Sequence, residues 1–211
     1  MSAILTSPNK NKRVVPQKAD VLVVRLGPLK EHLTDGEFFK FCQINRDLRI
    51  EMTSGGEVII MSPVGSEGGN RNFKLTTRFG AWAEADGTGV GFDSSTAFKL
   101  PNGAKRSPDL SWMRRNRWEA VPKKQRKIFA PICPDFVVEL RSETDSLEVL
   151  QEKMREYLHC GAQLGWLIDP LEKKVHIYRS KTTVEILDRP RSVSGEPLLK
   201  GFVLDLSGIL S

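Results

Sequence analysis

The sequence predicts an α/β protein in which a mixed sheet carries helices on its faces. A strongly apolar strand at 136–141 leads through a helical segment at 146–160 into a second apolar strand at 165–169. This order predicts a right-handed crossover between two neighbouring parallel strands. A second long helical segment, at 66–85, lies between other predicted strands. Because some of those strands form hairpins, the sheet is expected to be mixed, of the α+β kind.

The first half of the chain predicts short strands before and after two helices. Ser54-Gly55-Gly56 separates two apolar segments, which is typical of a hairpin. In the long helix, Leu75, Phe79 and Trp82 recur at i, i+4 and i+7 and form an apolar face. The predicted elements are a weakly alternating segment at 21–26, a short helix entered near Thr34 or Asp35, hairpin strands at 48–52 and 58–61, the helix at 66–85, and strands at 90–92, 96–100 and 106–113.

The second half predicts a basic surface insertion at 114–130, with a short helix, before the crossover. Asp145 and Glu148, three residues apart, resemble a capping box at the start of the crossover helix, and Gly161 ends that helix. The remaining predicted strands are a hairpin of 174–178 with 184–187 and a last strand at 201–206.

Length and composition predict one domain. The chain has 211 residues, of which 39% are hydrophobic and 27% are charged, enough for one substantial core at 19–211. Residues 1–18 contain too little apolar surface to offset the entropy of ordering, so we expect a flexible N-terminal arm there. That arm lacks the apolar stretch of a secretory signal.

A cytoplasmic location and no membrane association are expected. No run approaches the roughly 20 apolar residues that a membrane-spanning helix needs. The three cysteines are odd in number and widely spaced, which argues against a disulfide framework and fits a reducing cytosol.

A net charge of +6 favours polyanionic partners but also suits plain solubility. The basic insertion, with Trp112 and Trp118, has two interpretations. It tracks a DNA backbone with an aromatic wedge, or it is a solvated surface.

The most informative residue is Glu139, a carboxylate inside the apolar strand. Burying such a group costs several kcal/mol unless a cation or hydrogen-bond donors compensate it. A second acid, Asp109, stands at the start of another short strand, and Lys153 lies on the helix that follows Glu139. Because Tyr157 is four residues after Lys153, both side chains could reach a site at the end of the strand. The alternative is structural: Asp109 caps a turn, and Glu139 pairs with Arg141 or Lys153.

Two acids and a lysine suit divalent-metal chemistry. Mg²⁺, or Mn²⁺ in its place, takes one or two carboxylates and keeps waters for substrate and nucleophile. The ion would acidify a bound water and neutralise a phosphate oxygen, which is the chemistry of phosphodiester hydrolysis. The three histidines are scattered, so a histidine metal site is not expected.

Several motifs together resemble the Uma2 family of the PD-(D/E)XK nuclease superfamily, over about residues 45 to 207. This family is abundant in cyanobacteria and was earlier classed as a domain of unknown function. The resemblance implies a restriction-endonuclease-like core with extra hairpins, a divalent metal, a DNA substrate and, from the superfamily, a homodimer. The matching motifs are Ile60-Met61-Ser62-Pro63, Gly91-Phe92-Asp93-Ser94-Ser95-Thr96, Ser107-Pro108-Asp109, Pro134-Asp135-Phe136-Val137-Val138-Glu139 and Trp166-Leu167-Ile168-Asp169-Pro170.

The chain departs from the superfamily pattern at Arg141, where a lysine normally stands two residues after the second acid. Arginine stays charged and cannot accept a proton, although it can stabilise a phosphate. The Uma2 pattern moves the lysine to the following helix, which Lys153 satisfies. Glu67 resembles an accessory acid, or serves its helix dipole. Asp169 is a further candidate or a loop cap, and Asp135 offers a competing Pro-Asp.

Two functional hypotheses follow. In the first, the protein is a metal-dependent DNA endonuclease in which Asp109 and Glu139 hold the ion, Lys153 supports the attacking water, and Glu67 and Arg141 assist. In the second, it is a catalytically inactive nuclease-fold protein that binds DNA or takes part in assembly.

Overall fold

A mixed sheet forms the centre of the protein in the computed structural model, which describes residues 21–180 and 182–210. In chain order the strands are β1 Val21–Arg25, β2 Arg49–Met52, β3 Glu57–Met61, β4 Gly89–Asp93, β5 Phe98–Lys99, β6 Lys105–Arg106, β7 Leu110–Arg114, β8 Phe136–Leu140, β9 Leu164–Asp169, β10 Lys174–Arg179, β11 Glu185–Asp188, β12 Ser192–Ser194 and β13 Val203–Asp205. The helices are α1 Asp35–Ile44, α2 Ser66–Asp86, α3 Arg115–Ala120, α4 Lys123–Arg126 and α5 Leu147–His159, with a short 3-10 helix at Gly27–His32.

The central sheet has the strand order β11-β10-β9-β8-β7-β4 in the described part of the chain. Strands β8 and β9 are parallel, with Glu139 opposite Leu167, and α5 connects them. The neighbouring pairs are antiparallel. The mixed sheet and the parallel pairing are therefore both confirmed.

Strand β8 is buried on both faces, and its side chains alternate between two cores. Val138 packs with α2 residues such as Phe79 in one cluster, whereas Val137 packs with Met154 and Tyr157 of α5 in another. This alternation places Glu139 on the same face as Val137, towards α5. The acid of the strand and the lysine of the helix therefore meet in the layer between sheet and helix.

A second sheet, with the order β1-β3-β2-β6-β5, corrects the expectation of one sheet. The predicted strand at 106–113 is divided: β6 pairs with β2, and β7 belongs to the central sheet. Pro108 lies at the division, and because proline has no N–H it cannot continue a ladder. Asp109 consequently lies at the junction of the two sheets, directly before β7.

Three smaller differences concern strand lengths and a helix start. The strand predicted at 96–100 is confined to β5, and β12, which pairs with β13, was not predicted. The capping box predicted at Asp145 is wrong, because that carboxylate accepts hydrogen bonds from the backbone N–H and hydroxyl of Ser142. A capping box does occur at α1, where Thr34 and Glu37 exchange hydrogen bonds.

Among the described residues, no helix is long and apolar enough to cross a membrane. The arm predicted at 1–18 lies outside the described residues. One domain at 19–211 and a cytoplasmic location stay predictions.

Candidate active site

A cleft of about 440 Å³ opens where β8 ends, and most of the predicted site residues line it. Its walls come from the segment 61–72 that leads into α2 and the segment 139–145 that begins at the end of β8. The remaining lining residues are Val21, Arg49, Asp109, and Leu150 and Lys153 of α5. The charged side chains in the walls include Arg49, Glu67, Asp109, Glu139, Arg141 and Lys153. The fold therefore brings together acids and cations that are far apart in the sequence.

Asp109 is held in place by one cation and one backbone amide. Arg49 donates to its Oδ1 at 3.0 Å, and the N–H of Leu140 donates to Oδ2 at 2.8 Å. Arg49 also donates to the carbonyl oxygen of Ser107 at 2.7 Å, which fixes the guanidinium beside the turn. Since Leu140 follows Glu139, these contacts bring Asp109 to the end of β8 that carries Glu139, and both acids line the cleft.

Glu139 is almost fully buried, with 3% of its surface exposed. Its Oε1 lies 2.9 Å from Lys153 Nζ and accepts a hydrogen bond of 3.0 Å from the Tyr157 hydroxyl. Within the described residues, Oε2 accepts no hydrogen bond. Burial raises the pKa of this carboxyl to about 7, and the negative charges of Asp109 and Glu51 add to the rise although Lys153 opposes it. The site therefore leaves the negative charge of Glu139 only partly compensated.

Lys153 is buried between two carboxylates. Its Nζ lies 2.9 Å from Glu139 Oε1 and 2.9 Å from Glu51 Oε1. Burial acts to lower the pKa of this amine, but the charges of Glu139 and Glu51 outweigh it and raise the pKa above its ordinary value. The side chain is therefore an ammonium ion at neutral pH, which donates hydrogen bonds and accepts no proton.

Three charged residues of this site were not identified from the sequence, and these are Glu51, Arg49 and Arg106. Glu51 is 2% exposed. Its carboxylate accepts hydrogen bonds from the Arg106 guanidinium at 3.1 Å, from the Ser107 N–H at 2.9 Å and from the Lys153 ammonium. Burial opposes its ionisation, but Lys153 and Arg106 outweigh that effect and lower its pKa. The available signal was a glutamate between two apolar residues, Ile50 and Met52, the same kind of signal that singled out Glu139.

Arg141 and Asp169 pair with each other. Arg141 donates to Asp169 Oδ2 at 2.7 Å, and Asp169 Oδ1 accepts from the N–H groups of Leu171 and Glu172. Asp169 is fully buried and is not part of the cleft wall in the described structure. Its contacts are those of a loop cap, whereas Arg141 both lines the cleft and holds the loop. Of the ion pairs considered for Glu139, the one formed is with Lys153.

Glu67 and Asp135 differ sharply in environment. The side chain of Glu67 is 82% exposed at the cleft and lies 3.5 Å from Arg71, one turn along α2. Asp135 is fully buried, and its Oδ1 forms ion pairs with the guanidinium groups of Arg114 at 3.3 Å and Arg117 at 2.7 Å. The aspartate of the competing Pro-Asp motif, Asp135, therefore belongs to a structural ion-pair cluster.

Of the two tryptophans considered for an aromatic wedge, the structure excludes Trp112. Trp112 is buried in the core, and Trp118 packs edge-on against Phe92 while the Arg126 guanidinium lies over its ring. The Trp112 ring is therefore not free to enter a nucleic acid, whereas Trp118 is partly exposed. The exposed cations Lys123, Lys124 and Lys127 leave a solvated basic surface.

The acids present fit one hard divalent cation. Asp109 and Glu139 line the same cleft, and Glu139 Oε2 is free of donors among the described residues. No group of three or more His, Cys, Asp or Glu residues that could hold a metal occurs in the described ranges. Because Mg²⁺ needs only one or two carboxylates and keeps its waters, two acids suffice. The donor set, all carboxylate oxygen, suits Mg²⁺ or Mn²⁺ better than a soft ion.

The fold matches that of a solved structure, and the sequence matches a family model. A solved structure described as a "putative nuclease belonging to DUF820" from Anabaena variabilis ATCC 29413 superposes with a TM-score of 0.66 at 22% identity, covering 84% of this chain and 97% of that one. The family model described as "Uma2: Putative restriction endonuclease" matches residues 35–207, so the chain belongs to the Uma2 family. A comparison with the curated proteins gives no match.

Proposed function

We propose that the protein is a Mg²⁺- or Mn²⁺-dependent DNA endonuclease whose active site is the cleft at the end of β8. The observation that carries this proposal is the pairing of Asp109 and Glu139 in one cleft wall, with the ammonium of Lys153 2.9 Å from Glu139. Family membership supports phosphodiester hydrolysis as the reaction.

Asp109 and Glu139 are the residues that would hold the cation. When bound, it supplies Lewis-acid chemistry, acidifying water and neutralising phosphate charge. Glu139 has one oxygen committed to Lys153 and Tyr157 and presents the other, and Arg49 and the Leu140 N–H orient Asp109. The tyrosine stays a neutral donor, because burial and the charge of Glu139 raise its pKa well above the ordinary value.

Lys153 acts by charge in this proposal. In hydrolysis the water oxygen bonds to phosphorus and gives up a proton to solvent, while the bond from phosphorus to one sugar oxygen breaks and that oxygen takes a proton from solvent. Negative charge grows on the phosphate oxygens as this happens. A protonated Lys153 stabilises that charge and orients the attacking water, but it cannot take the water's proton. Arg141 contributes a second positive charge to the wall, and the exposed Glu67 is an accessory acid at its edge.

DNA is the proposed substrate. Arg49, Arg71 and Arg141 line the cleft together with Lys153, and the chain has a net charge of +6. Such cations bind backbone phosphates without reading sequence. Cleavage of both strands of a duplex needs two sites, so a homodimer is part of the proposal.

The test is cleavage of supercoiled plasmid by purified protein in the presence of Mg²⁺ or Mn²⁺. A reaction with EDTA is the metal-free control. We expect nicked or linear product, lost in Asp109→Asn and Glu139→Gln and retained in Asp188→Asn, an exposed aspartate on β11. Retained activity in either active-site variant would refute the assignment.

A second candidate is a non-catalytic protein that keeps the fold to bind DNA or to assemble. It is favoured by the arginine at position 141 and by Lys153 being already paired with two carboxylates. Calorimetric titration separates the two candidates: DNA binding without Mg²⁺ or Mn²⁺ binding selects this second candidate.

A further inference from the structure

Lys153 is shared by two carboxylates that face different surroundings. Glu139 lines the cleft, whereas Glu51 lies behind Lys153 and is absent from the cleft wall in the described structure. The ammonium is 2.9 Å from an oxygen of each. Glu51 therefore holds Lys153 from outside the cleft wall of the described structure.

The two carboxylates are unequally satisfied. Glu51 accepts hydrogen bonds on both oxygens, from Lys153 and the Ser107 N–H on Oε1 and from Arg106 on Oε2. Arg106 is itself tied to Glu156 of α5 at 2.6 Å, which fixes the rear of the cluster. Glu139 accepts only on Oε1, so its other oxygen stays available within the described residues.

We propose that Glu51 is a positioning residue that keeps Lys153 on Oε1 of Glu139 and so leaves Glu139 Oε2 open for the divalent cation. Without the carboxylate at position 51, the ammonium has Glu139 as its remaining anionic partner. It would then close over both oxygens of Glu139 and compete with the cation for them. This inference rests on the proposed function for its consequence, but the position of Lys153 is measurable without a metal.

The experiment compares Glu51→Gln with Glu57→Gln, a control on the same hairpin whose partner is the exposed Arg25. A crystal structure of metal-free Glu51→Gln is expected to show Lys153 Nζ displaced from residue 51 and bridging both oxygens of Glu139. Calorimetric titration with Mn²⁺ is expected to show a loss of affinity of about fivefold or more in Glu51→Gln, and less than about twofold in the control.

A double-mutant cycle shows whether the effect passes through Lys153. In a Lys153→Met background, Glu51→Gln is expected to change Mn²⁺ affinity by less than about twofold, because no ammonium remains to compete. If Glu51→Gln does not fold, Glu51→Asp provides the same test, since its shorter side chain draws Lys153 less strongly while keeping the charge.

The outcomes separate this inference from the nuclease proposal. An unmoved Lys153 together with wild-type Mn²⁺ affinity would overturn the positioning role, even if melting temperature falls. Moved Lys153 with weakened Mn²⁺ binding supports it, whether or not the wild type cleaves DNA. If the wild type binds no Mn²⁺, the metal proposal fails, and the structure of the variant alone decides the position of Lys153.

Discussion

Asp109 accepts a hydrogen bond of 2.8 Å from the backbone N–H of Leu140, the residue directly after Glu139. This bond links the junction of the two sheets to the end of the central strand. It also places two negative charges close enough for Asp109 to raise the pKa of Glu139. The pairing of these acids follows from backbone geometry and is the basis of the proposed metal site.

Asp109→Asn removes one of the two ligand charges while keeping the size of the side chain. We expect Mn²⁺ affinity to fall by about tenfold or more, because the charge of the ligand set governs affinity for a hard cation. DNA cleavage is expected to be lost. Calorimetry and plasmid cleavage measure the two effects, with Asp188→Asn as the matched control. Unchanged Mn²⁺ affinity in a folded Asp109→Asn protein would exclude Asp109 as a ligand.

Lys153→Met leaves two buried carboxylates without their shared cation. Breaking a buried pair in this way costs about 3 to 5 kcal/mol of unfolding free energy. Urea denaturation measures this loss, and Lys124→Met, at an exposed position of α4, is expected to change stability by less than about 0.5 kcal/mol. Equal stabilities of the two variants would show that the buried cluster does not depend on Lys153.

The raised pKa of Glu139 predicts a pH dependence of stability. Its pKa is 4.5 ordinarily and about 7 in the folded protein. Between these values the folded state binds more protons than the unfolded chain, so stability decreases as pH rises through the window. In metal-free buffer, the unfolding free energy of wild type relative to Glu139→Gln should fall by about 3 kcal/mol from pH 4.5 to 7. A difference that stays constant over this range would contradict the raised pKa of the buried Glu139 carboxyl.

Asp169→Asn tests whether the third acid near the end of β9 is structural. The aspartate holds two backbone N–H groups and Arg141, so we expect a loss of about 1 to 3 kcal/mol in unfolding free energy. Mn²⁺ affinity should stay within about twofold of wild type, since Asp169 lies outside the cleft wall. A loss of Mn²⁺ binding in a folded Asp169→Asn protein would instead make this residue a ligand.

Periodicity predicted the parts of the fold that depend on local pattern. The β8-α5-β9 crossover, the hairpin of β2 with β3 and the apolar face of α2 were all predicted correctly. The division into two sheets was not, because the break at Pro108 becomes visible only when β6 finds β2 as its partner. Pairing between distant segments is a tertiary property that a single sequence does not display.

The site shows the same division between local and distant information. Glu139 was identified because a carboxylate in an apolar strand demands compensation, and Lys153 because helical spacing turned it towards the strand. Glu51 gave a similar but weaker signal in a half-buried hairpin, and nothing near it in the sequence indicated Lys153 as its partner. Arg49 and Arg106 belong to the site only through folding, since long cations are common on exposed strands.

Crystals soaked with Mn²⁺ give the most direct test of the central claim, because anomalous diffraction locates this ion without a model of its surroundings. A peak within direct bonding distance of carboxylate oxygens from both Asp109 and Glu139 is the predicted result. Absence of a peak there at a saturating Mn²⁺ concentration, or a peak bound only by other residues, would contradict the proposed metal site.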